Sequence, residues 1–236
     1  MNRLIFIIFL VQIHFLSLSQ PIEGSTGLLK IPSAEMQTDG TFIAGANYLP
    51  NAITPDPFNY NTGNYYFNIT FLPFMEFTYR STLLYFEGNH NQDRSFGLRL
   101  RLLKESNFLP SIVAGGNDLY NSSQGNDLFN SSQKGRFFNT LYVTSTKHLA
   151  LNNNQLGFTL GFGTGGVRKT NLNGVFGGIS FVPAFLPSMR LIAEYDAKAI
   201  CAGAEILFGK HLHLFGMAYD LKYFAGGLAY RIYLKN

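Results

Sequence analysis

Beyond residue 40 the chain alternates between apolar and polar positions with a period of two, the signature of strands with two unlike faces. Thr41 to Leu49 forms a first such stretch. In Asn64 to Phe71, Tyr65, Phe67, Ile69 and Phe71 share one face, and Asn64, Asn68 and Thr70 share the other. Phe74 to Phe86 sets Phe77, Tyr79, Leu83 and Tyr85 against Glu76, Thr78, Arg80 and Thr82. Arg94 to Lys104, Gln155 to Gly163 and Lys222 to Leu234 repeat the pattern, the last with Phe224, Leu228, Tyr230, Ile232 and Leu234 on one side. Weaker alternation marks Ser111 to Asp118, Arg136 to His148, Gly174 to Val182, Met189 to Tyr195, Lys198 to Phe208 and His211 to Tyr219. Asn152-Asn153-Asn154 and Phe208-Gly209-Lys210 read as tight turns, and the Asn-, Ser- and Gly-rich stretch from Asn117 to Gly135 as a long loop.

This pattern predicts an all-β chain of about twelve strands, bracketed by ten and fourteen, closed as an antiparallel up-and-down transmembrane barrel. Strands that cross a membrane need only about ten residues each, and closure removes exposed edges. Composition points the same way. Charged residues are 14% of the chain, against roughly 25% in an average soluble domain. Aromatics reach 15%, and glycines number 24. A soluble β-sandwich is the alternative, but it would normally carry more surface charge.

The first residues differ in kind. Arg3 precedes the apolar stretch from Leu4 to Leu18, and Ser17-Leu18-Ser19 supplies small residues for a signal peptidase. Residues 1–19 are therefore expected to be a cleaved signal peptide, residues 20–40 a segment at the barrel mouth, and residues 41–236 the barrel. A membrane anchor helix is the competing reading, but the stretch is short for one and is interrupted by Gln12 and His14. The absence of cysteine near the cut argues against a lipid anchor there.

Net charge is +4 with no Lys/Arg block, so nucleic-acid binding has little support. The single cysteine, Cys201, allows neither an internal disulfide nor a Cys-cluster metal site. The polar faces carry Glu76, Arg80, Arg99, Arg101, Arg190, Glu194, Asp196 and Glu205, which a barrel would point into its lumen. There they either pair and plug the interior or line a path for polar solutes. A hydrolase would need Ser, His and an acid together. His148, His211 and His213 are available, but no Gly-x-Ser-x-Gly elbow is present. His211 and His213 fall on one strand face, a spacing that can also hold a metal, but polar lining is the simpler reading. No metal or other cofactor is expected. The glycines from Gly161 to Gly166 lack the following Lys-Ser/Thr of a phosphate loop and read as strand and turn.

The most distinctive stretch is Gly24-Ser25-Thr26-Gly27-Leu28-Leu29-Lys30-Ile31-Pro32-Ser33-Ala34, followed by Thr38-Asp39-Gly40. It resembles the opening motif of the YjbH-type family of outer-membrane barrels associated with exopolysaccharide production. Phe71-Leu72-Pro73-Phe74-Met75-Glu76 through Arg80, Asp93-Arg94-Ser95 through Arg99 and Arg101 to Glu105, Leu109-Pro110-Ser111-Ile112 through Gly116-Asn117-Asp118, and Ala193-Glu194-Tyr195-Asp196 resemble later motifs of that family, in order. The family-motif positions are thus Gly24, Thr26, Gly27, Pro32, Ala34, Asp39, Gly40 and Asp118.

The resemblance implies a non-enzymatic role in making or exporting a surface polysaccharide. Outer-membrane lipid, the polysaccharide and a secretion complex would be its partners. This chain is much shorter than the long members of the family and ends Tyr233-Leu234-Lys235-Asn236, without the terminal aromatic of many outer-membrane barrels. Gly24 and Gly27 permit tight turns and Pro32 stiffens the exit, so the opening motif suits a tuck into the barrel mouth, or an ordinary ordered loop. A small porin-like channel remains the second functional reading, and a lipid or sugar hydrolase the third.

Overall fold

The computed structural model of the chain describes residues 22–54, 59–86, 89–121, 138–165 and 172–235. The expected signal peptide and most of the loop from Asn117 to Gly135 lie outside the described residues. The strands are β1 (Thr41–Leu49), β2 (Thr62–Thr70), β3 (Met75–Phe86), β4 (Asn89–Leu103), β5 (Ser111–Asn121), β6 (Thr140–Leu151), β7 (Asn154–Gly165), β8 (Gly174–Val182), β9 (Met189–Tyr195), β10 (Ile200–Phe208), β11 (Leu212–Tyr219) and β12 (Tyr223–Tyr233). Each pairs antiparallel with its sequence neighbour. β1 pairs with β12, from Thr41 opposite Tyr233 to Tyr48 opposite Gly226, so the twelve-stranded sheet closes on itself. Closure excludes the sandwich alternative, in which two separate sheets keep open edges.

The barrel is apolar outside. Phe67, Phe77, Leu160, Phe162, Leu191 and Leu228 are exposed on its outer wall, and a continuous band of this kind is stable only against lipid. No described helix is long and apolar enough to cross a membrane.

Strand limits depart from the alternation where polar residues carry the backbone ladder onward. β4 begins at Asn89, ahead of the pattern that starts at Arg94, and β5 runs on through Asn117 to Asn121. The β4–β5 register shifts between Phe96 and Leu98, where β5 carries Asp118 at φ 50°. Such a bulge needs no apolar side chain and leaves no periodic trace.

Connections at the two ends of the barrel differ. Residues 50–61, 87–88, 122–139, 166–173, 196–199 and 220–222 join strands at one end, which holds the three longest connections and is here the loop end. Residues 71–74, 104–110, 152–153, 183–188 and 209–211 join them at the other, the short-turn end, where the barrel's own chain ends also lie. The connecting residues Asn152 and Asn153 both have positive φ, as a two-residue hairpin turn requires.

A plugged lumen as the candidate functional site

The lumen is filled by the segment from Ile22 to Gln37, almost every residue of which is buried. The segment turns on itself. Ile22 N donates to Leu29 O at 2.9 Å, Leu28 N to Ile31 O at 2.9 Å, and Gly27 bridges to Pro32. Near the loop end, Asn47 and Asn64 both donate to Ile22 O, at 2.9 and 2.8 Å. The chain then drops to Glu76, rises to Asp196, and descends to Arg190 before joining β1. The segment expected at the barrel mouth therefore runs along the lumen. The reason is chemical: inward carboxylates on the strands need donors, and the segment's backbone amides supply them.

Glu76 shows this directly. Its carboxylate accepts from Thr26 N (2.8 Å), Thr26 Oγ1 (2.6 Å), Asn68 Nδ2 (2.8 Å) and Arg99 Nη1 (3.1 Å). Glu194 accepts from two successive amides, Leu29 N at 3.0 Å and Lys30 N at 2.7 Å. Asp196, in the β9–β10 turn, is paired with the Lys30 ammonium and accepts from Ala199 N at 2.7 Å. Burial tends to raise the Asp196 carboxyl, but Lys30 outweighs it and holds it below the ordinary aspartate value. Burial likewise opposes the Lys30 ammonium, which Asp196 holds above its ordinary value.

At the short-turn end a chain of charged groups crosses the lumen. Arg190 grips Glu35 with two bonds, Nη1 to Oε2 at 3.0 Å and Nη2 to Oε1 at 2.8 Å. Its Nε lies 3.2 Å from Glu205 Oε1, close enough for charge attraction though not aligned as a hydrogen bond. Glu205 Oε2 meets His213 Nε2 at 2.9 Å. On the other side, Glu35 Oε1 is 3.1 Å from His148 Nε2, and His148 Nδ1 is 2.7 Å from Glu105 Oε2. Burial pushes the Glu35 carboxyl up, yet Arg190 and His148 outweigh it and hold it at about 2. A carboxyl depressed from 4.5 contributes its full stabilisation above that value and loses it as pH falls through about 2. The thermal midpoint of the folded barrel, read by gel mobility, should therefore fall between about pH 4.5 and about pH 2. Glu35→Gln should flatten that slope, and an unchanged slope would count against the Glu35–Arg190 pair as its source.

Of the predicted lumen residues, Glu76, Arg80, Arg99, Arg190, Glu194 and Glu205 point inward and are buried. Arg80 stacks its guanidinium on Phe138, 4.0 Å from the ring centre. Arg99 bonds the backbone carbonyls of Ser33 and Glu35. Arg101 is different: it is half-exposed at the short-turn rim and clasps Pro73 O. Among the motif positions, Gly24 (φ 83°) lies against Tyr66, where a Cβ would sit 2.5 Å from the ring's Cγ. Ala34 N donates to Thr146 Oγ1 at 2.8 Å and Ala34 O accepts from Ser111 Oγ at 2.8 Å. Asp39 pairs with Lys235 at 2.6 Å, Gly40 N donates to Thr70 O at 3.0 Å, and Asp118 accepts from Phe138 N at 3.1 Å.

The lumen also holds Glu23, Lys30, Glu35, Tyr66, Tyr142 and Arg231, which the alternation does not single out. The first three lie ahead of the first strand, where no alternation exists to assign them a face. His211 and His213 do not share a site. His211 stands in the turn, its ring 5.5 Å from that of Tyr230, whereas His213 is buried on Glu205. No group of three or more metal-ligating side chains occurs among the described residues.

An apolar cluster lies beside these charges in the lumen. Ile22, Leu28, Leu29 and Ile31 pack with Phe176, Ile192, Phe215 and Met217. This contributes to the weak alternation of β8, β10 and β11, whose inner faces add apolar side chains to an apolar outer face.

Comparison with known proteins bears out the family resemblance. An Escherichia coli protein described as uncharacterized lipoprotein YjbH is 32% identical over 111 residues, which are 43% of this chain and 14% of that protein. The chain thus matches only a small part of that relative's length. Among solved structures, an outer membrane channel from Pseudomonas putida is similar with a TM-score of 0.42 and 11% identity, over 86% of this chain and 98% of that one. The outer membrane protein Omp33 of Acinetobacter baumannii is similar with a TM-score of 0.44 and 8% identity, over 83% and 98%. The family described as exopolysaccharide biosynthesis protein matches residues 19–174. The chain is an outer-membrane β-barrel and belongs to the YjbH family of exopolysaccharide biosynthesis proteins.

Proposed function

We propose that this barrel assists the production or export of a surface exopolysaccharide without catalysing a reaction, and that its resting lumen is closed. The observation that carries the closed state is that Glu76 and Glu194 both accept hydrogen bonds from backbone amides of the Ile22–Gln37 segment. A solute path would have to break these bonds, and an open pore has no reason to tie its lining carboxylates to a buried strap. Family membership supports the polysaccharide context. A non-catalytic role fits the histidines: His148 and His213 are engaged with carboxylates rather than with a serine hydroxyl.

The porin-like reading becomes a conditional one, in which conduction follows only after the segment is displaced. Clean deletion in the native host should lower the amount of surface polysaccharide or change its composition, and the intact chain should restore it. An unchanged capsule would remove the polysaccharide role. In planar bilayers the intact protein should show no unitary steps, and steady conductance would overturn the closed lumen.

A further inference from the structure

Three of the five connections at the short-turn end carry the same tripeptide. Phe71-Leu72-Pro73 joins β2 to β3, Phe108-Leu109-Pro110 joins β4 to β5, and Phe185-Leu186-Pro187 joins β8 to β9. Connections that face water are normally built from Gly, Asn, Asp and Ser. The remaining two at this end, with Asn152-Asn153 and Gly209-Lys210, follow that rule. Phe108 is 94% exposed and Phe185 87%. Leu72 stands at φ 63°, in the left-handed region that glycine or asparagine occupies without strain. A leucine is thus kept at a position whose backbone favours its replacement.

The turns are fixed in place. Arg101 N donates to Phe74 O at 2.8 Å while its guanidinium holds Pro73 O. Ser106 N donates to Leu109 O at 3.0 Å, and Lys147 Nζ reaches Ser106 O at 2.5 Å. Leu186 N donates to Pro183 O at 3.1 Å, and Ala184 N to Asn154 Oδ1 at 2.9 Å. The aromatic tips are therefore presented by ordered turns.

Charge at this rim is one-sided. Among the described residues that are not buried, Arg101, Lys104, Lys147, Lys210 and Lys235 stand beside two carboxylates, Glu105 and Asp39, which pair with Lys147 at 3.3 Å and Lys235 at 2.6 Å. The outward apolar band also runs to the very ends of the strands here, through Leu102, Leu151 and Phe208. Exposed apolar tips among excess cations match an anionic phospholipid surface, where the rings enter the acyl boundary and the cations meet phosphate. The barrel order puts the β8–β9 turn across the barrel from the β2–β3 turn. A leaflet surrounding the barrel touches both, which a partner of small footprint docked on one side would not.

We propose that the three Phe-Leu-Pro turns form a lipid anchor that seats the short-turn rim in an anionic phospholipid leaflet. In an outer-membrane barrel this is the periplasmic leaflet. The chain contains no tryptophan, so Phe108→Trp and Phe185→Trp each give a single reporter in the full-length protein. Lys222→Trp, at the opposite end and exposed, is the aqueous control. Each variant is folded into phosphatidylcholine vesicles with or without phosphatidylglycerol, its folding checked by gel mobility. Emission is then quenched either by acyl-brominated lipid or by aqueous acrylamide.

The two rim reporters should be quenched severalfold more by brominated lipid than the control, and correspondingly less by acrylamide. Phosphatidylglycerol should shift their emission further to the blue, and Lys104→Glu with Lys210→Glu should remove that extra shift. Acrylamide quenching equal to the control, with no effect of brominated lipid, would overturn the anchor and leave the rim free for a protein. Identical emission with and without phosphatidylglycerol would overturn its preference for anionic lipid.

Discussion

Deletion of residues 22–37 should convert a silent protein into a conducting one. The strand ladder closes through β1 and β12 without any contribution from this segment, so the barrel should still fold and keep its heat-dependent gel mobility. What the segment supplies is internal: donors to Glu76 and Glu194, an ammonium for Asp196 and a carboxylate for Arg190. Once it is gone, water enters and solvates those groups, so they need not remain unsatisfied. Single-channel recording should then show discrete steps. The channel should lean towards cations, because buried Glu76, Asp93, Asp118, Glu194, Asp196 and Glu205 outnumber Arg80, Arg99, Arg190 and Arg231. The milder pair Lys30→Ala with Glu35→Ala loosens the middle of the segment and its exit, and should give intermittent openings. Silence in both variants, with folding intact, would mean that strand side chains alone close the lumen.

The second large effect is expected at Arg190→Met. This guanidinium is the cation between two buried carboxylates, bidentate to Glu35 and 3.2 Å from Glu205. Its removal leaves two negative charges facing one another across a site only a few per cent exposed. Breaking a buried pair by removing one partner costs about 3–5 kcal/mol, far more than the loss of a surface bridge. The denaturant midpoint of the folded barrel should drop accordingly, read by the loss of the fast-migrating band. Adding Glu35→Gln and Glu205→Gln should recover much of the loss, since the charges that needed the arginine are then absent. A change below about 1 kcal/mol for Arg190→Met alone would show that water already reaches the network.

The architecture was legible because a barrel wall is written in period two. Each strong strand sets lipid-facing side chains such as Phe67, Phe77 and Leu160 against small or polar ones, and this contrast survives in one dimension. Turn residues such as Asn152 and Asn153 mark where the strands reverse. The charges at Glu76, Arg99, Arg190, Glu194 and Glu205 could likewise be given a face from their phase alone. The opening motif was legible as a motif, by its resemblance to a family, though not as an object in space.

What the sequence determined by itself is the closed barrel wall, its approximate strand number and the sign of the groups on its inner face. Only the tertiary structure decided that the lumen is filled, that Glu35 meets Arg190 across 155 positions of sequence and that Glu194 binds the amides of Leu29 and Lys30 from 165 and 164 positions away. The physical reason is that periodicity reports only which face a residue takes within its own strand. A segment without periodicity is placed by the donors and acceptors it satisfies, and those partners become neighbours only after the sheet has closed around them.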